Sequence, residues 1–232
     1  MLLCAEIYKQ IRLTTAYGSY VFWHFPWQLC SLPMFLAPAL LFLKDINKKD
    51  AVFAFLASFG LLGGIAVFFD PSGLQYVQKE LTVLSYAWHI SMILFGLYAF
   101  SGIRGNINTG FRKACILYLS GCLIAVVLNL LLDRYGEIDL FYINPLHNMS
   151  QIVFRDLVPL FGNLPTILFY ILMTILGAAI LFYLNGELHE KVHDDQIDQG
   201  RAEDTDEVVF AEPVADDRES AADELRDPEG RG

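Results

Sequence analysis

Five long apolar runs constrain what this chain of 232 residues can fold into. Each has roughly the 17–25 residues with which a helix, rising about 1.5 Å per residue, crosses the hydrocarbon core of a bilayer. Hydrophobic residues make up 55% of the chain, above the roughly 45–50% of an average soluble domain. We therefore expect an all-α, polytopic transmembrane bundle with five membrane helices, or six if the N-terminal segment adds one. The runs cover about 20–43, 51–69, 83–103, 113–132 and 164–184.

Charge separates the apolar body from a C-terminal tail. From Gly186 onward the chain has 17 acidic and 5 basic residues, a net charge of −12, whereas the first 185 residues have a net charge of +2. So polar a segment buries too little apolar surface to offset the entropy cost of ordering, which predicts disorder. We expect an interfacial segment or the remnant of a first helix at 1–19, the transmembrane bundle at 20–185 and a disordered acidic tail at 186–232.

Basic residues predict the orientation of the bundle. They concentrate after the first apolar run and after the third, and the positive-inside rule assigns such loops to the cytoplasm. The tail then lies on the same side, so we expect a multi-pass protein of the cell membrane with a cytoplasmic tail. The residues that decide this are Lys44, Lys48 and Lys49 in the first loop, and Arg104, Arg112 and Lys113 in the second.

The sequence lacks the motifs of several functional classes. The four cysteines (Cys4, Cys30, Cys115 and Cys122) lack the paired spacing of a metal site, so we expect no metal. No phosphate loop or nucleic-acid patch is present either, and we expect no cofactor and no nucleic acid. The expected partners are membrane lipids, with the acidic tail as a candidate contact for a cytoplasmic protein, and the oligomeric state stays open.

A thiol and an imidazole in the apolar body indicate a reaction centre. Cys30 lies in a polar stretch between Pro26 and Pro33, and His89 lies in the third run, where burying an ionisable group is costly. If both runs start at the outer surface, each side chain lies roughly 9–15 Å below it. A thiolate attacks an ester and an imidazole moves the proton, so this pair suits acyl transfer between lipids, or hydrolysis where water enters.

Other polar residues complete the predicted site. Gln28, Ser31, Asn144 and Asn148 are candidate hydrogen-bond donors to an oxyanion, and His24 is a further candidate for contact with substrate. The stretch 135–163, too irregular for a membrane span, is expected to form a re-entrant or interfacial element over the outer mouth of the bundle.

Two non-catalytic interpretations remain open. In one, the chain is a membrane carrier or sensor whose ligand binds in a polar outer cavity of His24, His89, Asn144 and His147. In the other, it is a structural membrane component in which the polar residues serve helix packing. Gly63 and Gly64 are read as packing residues in every case, because small side chains let helices approach closely.

The run FPWQLCSLP at 25–33 resembles the L-P-L-H-L-C-S signature of the YwaF and transmembrane protein 164 family of integral membrane proteins. The similarity continues in order through Gly63-Gly64, Asp70-Pro71, His89 and the Asn-containing stretch before the last run, over about 20–185. The acidic tail lies outside it.

This resemblance implies a function and a pair of residues. Animal members of the family transfer fatty acyl chains onto lysophospholipids, and a cysteine of this motif and a histidine of a later helix are implicated. The matching positions here are Cys30 and His89. Two departures are visible: Gln28 stands where the signature often has histidine, and the helix that typically precedes the motif is not evident.

Overall fold

All secondary structure in the described residues, 2–210, is helical, which confirms the predicted all-α class. One π-helical turn lies at Leu56–Gly60, and short 3₁₀ turns lie between several of the helices. In this computed structural model the α-helices are α1 (Leu2–Tyr17), α2 (Leu32–Ala39), α3 (Ile46–Ala66), α4 (Lys79–Ala99), α5 (Ile107–Leu132), α6 (Val158–Phe161) and α7 (Asn163–Phe210).

Four helical segments of residues 2–210 are long and apolar enough to cross a membrane, fewer than the predicted five or six. They match the last four apolar runs and cover Ile46–Ala66, Lys79–Gly102, Ile107–Tyr135 and Asn163–Val192. The prediction of a continuous span over 20–43 is wrong, because this stretch contains only a 3₁₀ turn at Phe22–His24 and the eight residues of α2. Pro26 cannot continue a helix, and Pro33 fits only a first helical turn, which sets the start of α2.

Two indole groups bond the irregular stretch around Cys30 to spanning helices. Trp27 Nε1 donates to the carbonyl oxygen of Gly121 in α5 at 3.2 Å, and Trp88 Nε1 of α4 donates to the carbonyl oxygen of Cys30 at 3.0 Å. Non-helical backbone is tolerated at membrane depth only where protein groups complete its hydrogen bonds. The stretch therefore depends on the spanning helices for its conformation.

The core is centred on α3. Phe55 and Phe59 are completely buried, and the Phe59 ring stacks on that of Tyr118 with centroids 4.5 Å apart. α4 approaches α3 so closely at Gly96 that a Cβ there would lie 2.8 Å from Cβ of Leu61. These contacts hold three of the spanning helices, α3, α4 and α5, in one rigid arrangement.

A turn-rich region connects α5 to α7. Buried Asp139 accepts hydrogen bonds from the backbone N–H of Asn144 at 2.9 Å and the hydroxyl of Ser150 at 3.1 Å, and burial raises the pKa of its carboxyl. Within the turn Leu140–Tyr142, both Phe141 and Tyr142 have positive φ angles, 60° and 58°. The region is therefore held by side chains rather than by regular secondary structure.

The C-terminal segment differs from the predicted disorder as far as Phe210, because α7 includes residues 163–210. The compact unit that contains the core ends at His189, and a second unit begins at Glu190. Near the end of the first unit, Asn185 Nδ2 donates to the carbonyl oxygen of Gly96 at 3.1 Å, and His189 Nε2 bonds that of Leu97 at 2.8 Å. The part of the predicted tail at 211–232 lies outside the described residues.

Candidate functional site

A cavity of about 770 Å³ contains both residues of the predicted pair, Cys30 and His89, in its lining. Its walls come from α1, the turn before α2, α3, α4, the region between α5 and α7, and α7 itself. The site thus draws on residues from the beginning, middle and end of the bundle.

Two adjacent glycines of α3 lie against the cysteine and histidine segments. A Cβ on Gly63 would lie 3.9 Å from Cα of Cys30, and a Cβ on Gly64 would lie 3.2 Å from the carbonyl oxygen of His89. Trp88, the neighbour of His89, bonds the Cys30 carbonyl. The thiol-bearing turn and the imidazole-bearing helix therefore both pack against α3 at neighbouring positions.

Burial and one cation act on the Cys30 thiol in opposite directions. Burial raises the pKa of the thiol, and the charge of Lys9 partly opposes that rise. Lys9 lines the same cavity and pairs with Glu6 at 2.7 Å. Because burial is the larger effect, the resting state is a neutral thiol, which needs a base before it can act as a nucleophile.

The His89 ring is held in one tautomer. It is 5% exposed, and Nδ1 lies 2.8 Å from the carbonyl oxygen of Ser85. A carbonyl only accepts, so Nδ1 carries the proton and the neutral ring has its lone pair on Nε2. His89 therefore has the form that a general base requires.

Gln28 and Ser31 also line the cavity, but Gln28 is engaged. Its Oε1 accepts from the backbone N–H of Phe141 at 2.7 Å, and its Nε2 lies 3.4 Å from the carbonyl oxygen of Asp139. The amide thus holds the turn that follows α5. Ser31 is 9% exposed and stands directly before α2, with its backbone N–H bonded to the Gln28 carbonyl at 2.8 Å.

The remaining predicted residues do not line the cavity. Asn144 is buried, and its Nδ2 donates to the carbonyl oxygen of Ile138 at 2.7 Å, so it serves the loop instead of an oxyanion. Asn148 is exposed on the same loop. The His24 ring lies 5.5 Å from that of Tyr76, and burial lowers the pKa of His24. His147 pairs with Asp133, so the polar cavity of the carrier interpretation is not assembled.

Three tyrosines and one charged pair line the cavity but were not predicted from the sequence. Tyr76, Tyr142 and Tyr170 all line the cavity, as do Glu6 and Lys9. The spacing of Glu6 and Lys9 in α1 was the available signal, since three residues place two side chains on one helical face. No local sequence feature distinguishes these three among the eleven tyrosines of the chain.

The chemistry available here is that of a thiol and an imidazole in the lining of one cavity. Among residues 2–210, no group of three histidine, cysteine or acidic side chains is arranged to hold a metal ion. Nucleophilic attack on an ester or binding of an apolar ligand with a polar end are the two uses this lining suits.

Comparison with known proteins gives one match. The family model of the TMEM164 family covers residues 1–184. No curated protein matches the chain, and no solved structure does.

Proposed function

The chain belongs to the TMEM164 family, and from this membership together with the cavity we propose that it transfers acyl chains between membrane lipids. When water replaces the lipid acceptor, the same chemistry hydrolyses the ester. The observation that carries the proposal is that Cys30 and His89 line one cavity of a membrane protein. Cys30 is the proposed nucleophile and His89 its base.

The proposed reaction begins with a lipid ester in the cavity. Nε2 of His89 takes the thiol proton as Sγ of Cys30 attacks the ester carbonyl carbon, and the carbonyl π electrons move onto the oxygen. Collapse of this intermediate re-forms the carbonyl and breaks the ester C–O bond. The leaving oxygen takes the proton from His89 and departs as a lysolipid, which leaves a thioester on Cys30.

The second half of the reaction releases the acyl chain. The hydroxyl of a second lysolipid attacks the thioester as His89 takes its proton, and collapse breaks the C–S bond. The sulfur then regains its proton from His89. The cycle needs no other reactant, and water in place of the acceptor gives a free fatty acid.

The size and character of the cavity support a lipid substrate. Its volume of about 770 Å³ lies in the range of roughly 300–1,000 Å³ that is usual for small-molecule sites. Apolar residues such as Met34, Leu62 and Met173 line it alongside the polar ones. This mixture suits an ester whose carbonyl meets polar groups while its chain meets apolar walls.

We place the protein in the cell membrane with the basic segments at 44–49 and 104–113 facing the cytoplasm, and the C-terminal tail on that side. Four spans keep both segments on one side, since two spans separate them. In this orientation the residues at 67–78 and 136–162 lie on the outer side, at the same end of the spans as the cavity lining contributed by Asp70 and Ser150.

The test uses the purified full-length chain in phospholipid vesicles that contain a lysophospholipid and a phospholipid with a labelled acyl chain. Cys30→Ala is expected to abolish both transfer and hydrolysis, because the nucleophile is gone. His89→Asn places an amide nitrogen where it can still bond the Ser85 carbonyl but supplies no base, and a loss of about 10²–10⁴-fold is expected.

Cys115→Ala is the matched control, since Cys115 is a half-buried thiol of α5 outside the cavity. It should retain full activity. The wild-type chain should also form a hydroxylamine-sensitive acyl adduct on Cys30, detected by mass spectrometry. Undiminished transfer by Cys30→Ala would refute the proposal.

A further inference from the structure

The turn after α5 has a backbone conformation that aromatic residues rarely adopt. Phe141 and Tyr142 follow each other with φ angles of 60° and 58°, in the left-handed region that favours glycine. Such conformations persist only where the surroundings enforce them, and they cluster at functional sites. Contacts with the rest of the protein must therefore hold Phe141 and Tyr142 in this conformation.

Side chains from two distant segments hold the turn. Asn129, fully buried in α5, donates from Nδ2 to the carbonyl oxygen of Leu140 at 3.1 Å, and its Oδ1 accepts from the Leu140 N–H at 2.8 Å. Gln28, two residues before Cys30, accepts from the Phe141 N–H at 2.7 Å. The strained turn is thus bonded to the segment that bears the thiol.

Both residues of the turn line the cavity, and of the two only Tyr142 has a hydroxyl. Phe141 is 1% exposed, and its ring lies next to that of Tyr118. Tyr142 is half-buried, with its ring 6.5 Å from that of Trp23. The turn therefore places a phenol on the cavity wall.

The Tyr142 hydroxyl is protonated and available to donate. Burial is the main cause that raises its pKa to about 12. At neutral pH the phenol therefore keeps its proton, which it can donate in a hydrogen bond.

We propose that the Tyr142 hydroxyl donates a hydrogen bond to the oxyanion that forms when Cys30 attacks the ester carbonyl. This inference rests on the proposed acyl transfer and supplies the donor that Gln28, Asn144 and Asn148 do not. The phenol keeps its O–H bond throughout. It stabilises the charge while the π electrons reside on oxygen, and it is unchanged after the ester C–O bond breaks.

The experiment compares Tyr142→Phe with Tyr135→Phe in the full-length chain, in the vesicle assay described above. Tyr135 is an exposed tyrosine near the start of the same region and lies outside the cavity. Tyr142→Phe is expected to lower kcat by about 100- to 1,000-fold with KM nearly unchanged, as for other lost oxyanion donors. Tyr135→Phe should keep both parameters.

A second readout separates this role from a structural one. Alkylation of Cys30 by a small haloacetamide forms no oxyanion, so its rate should be the same in Tyr142→Phe and wild type. Incorporating a fluorotyrosine at position 142 restores the hydroxyl and should restore kcat. A Tyr142→Phe chain that keeps kcat within about threefold of wild type overturns the inference, and so does a parallel fall in kcat and in the alkylation rate.

Cys30→Ala, measured alongside, distinguishes the two levels of the proposal. If Cys30→Ala loses transfer while Tyr142→Phe keeps it, the assignment of Tyr142 alone fails. If Cys30→Ala keeps transfer, the proposed function fails, and the oxyanion role fails with it.

Discussion

At the scale of single residues, burial determines the protonation of the Cys30 thiol. Burial removes hydration, and the anionic form of a thiol loses more hydration free energy than the neutral form. Burial therefore raises the pKa of Cys30. Lys9 reduces this effect without reversing it. A thiol in this state depends on a neighbouring imidazole at the moment of attack, which is the role we propose for Nε2 of His89.

The raised pKa of Cys30 predicts how its alkylation depends on pH. Below the pKa, the thiolate fraction grows tenfold for each pH unit, so the rate should rise about tenfold per unit from about pH 7 to about pH 8.5. The measurement follows a neutral haloacetamide by mass spectrometry in a chain whose other three cysteines are alanine. A rate that levels off near neutral pH would instead indicate a preformed thiolate.

At the scale of helices, the fit of α3 against α4 sets the position of the imidazole. A Cβ on Gly64 would lie 3.0 Å from Cγ1 of Ile93 and 3.2 Å from the carbonyl oxygen of His89, both tighter than ordinary contact. On Gly63 the nearest atom would be Cε of Met92 at 3.5 Å, an ordinary distance. There is therefore room for a Cβ at Gly63 but not at Gly64.

Gly64→Ala and Gly63→Ala form a matched pair of variants. Gly64→Ala forces α4 away from α3 near His89 and should destabilise the fold by about 1–3 kcal/mol, with a loss of acyl transfer. Gly63→Ala meets only van der Waals contacts and should change the stability little. Thermal unfolding in detergent and the vesicle assay report both effects. Equal behaviour of the two variants would show that close packing at Gly64 does not position His89.

At the scale of the whole molecule, the compact unit that contains the site ends near the bonds from α7 to the end of α4. Asn185 and His189 bond the carbonyl groups of Gly96 and Leu97 in the last turn of α4, where a helix leaves carbonyl groups without a full set of partners. The family match ends at residue 184. The boundary of the working unit is therefore expected to lie beyond the family match, at His189.

Two truncations test this boundary. Removal of 190–232 leaves both bonds and should leave acyl transfer and the unfolding temperature unchanged. Removal of 185–232 breaks both and should lower the free energy of unfolding by about 1–3 kcal/mol, mainly because the buried carbonyl of Gly96 loses its donor. The comparison uses thermal unfolding and the vesicle assay on each chain. A large loss of stability on removing 190–232 alone would place the boundary later.

The sequence by itself determined that this is a helical membrane protein, because the length and apolarity of a segment decide whether it enters a bilayer. The four long runs after Lys44 are all found as helices. The same composition argument failed at 20–43, where prolines break an apolar segment, and at 186–210, where polar residues continue α7. Hydrophobicity indicates whether a segment is stable in the membrane. It does not determine whether the backbone of that segment forms one continuous helix.

Only the tertiary structure decided which side chains share the cavity. Cys30, Gln28, Ser31 and His89 were predicted and line it, while Asn144 turned inward to its own loop. The turn that contains Tyr142 is bonded to Gln28, which accepts from a backbone N–H 113 positions further along the chain. Local sequence carries no record of such a bond, since it forms only after the helices have packed, and that is why the candidate oxyanion donor was found in the fold and not in the sequence.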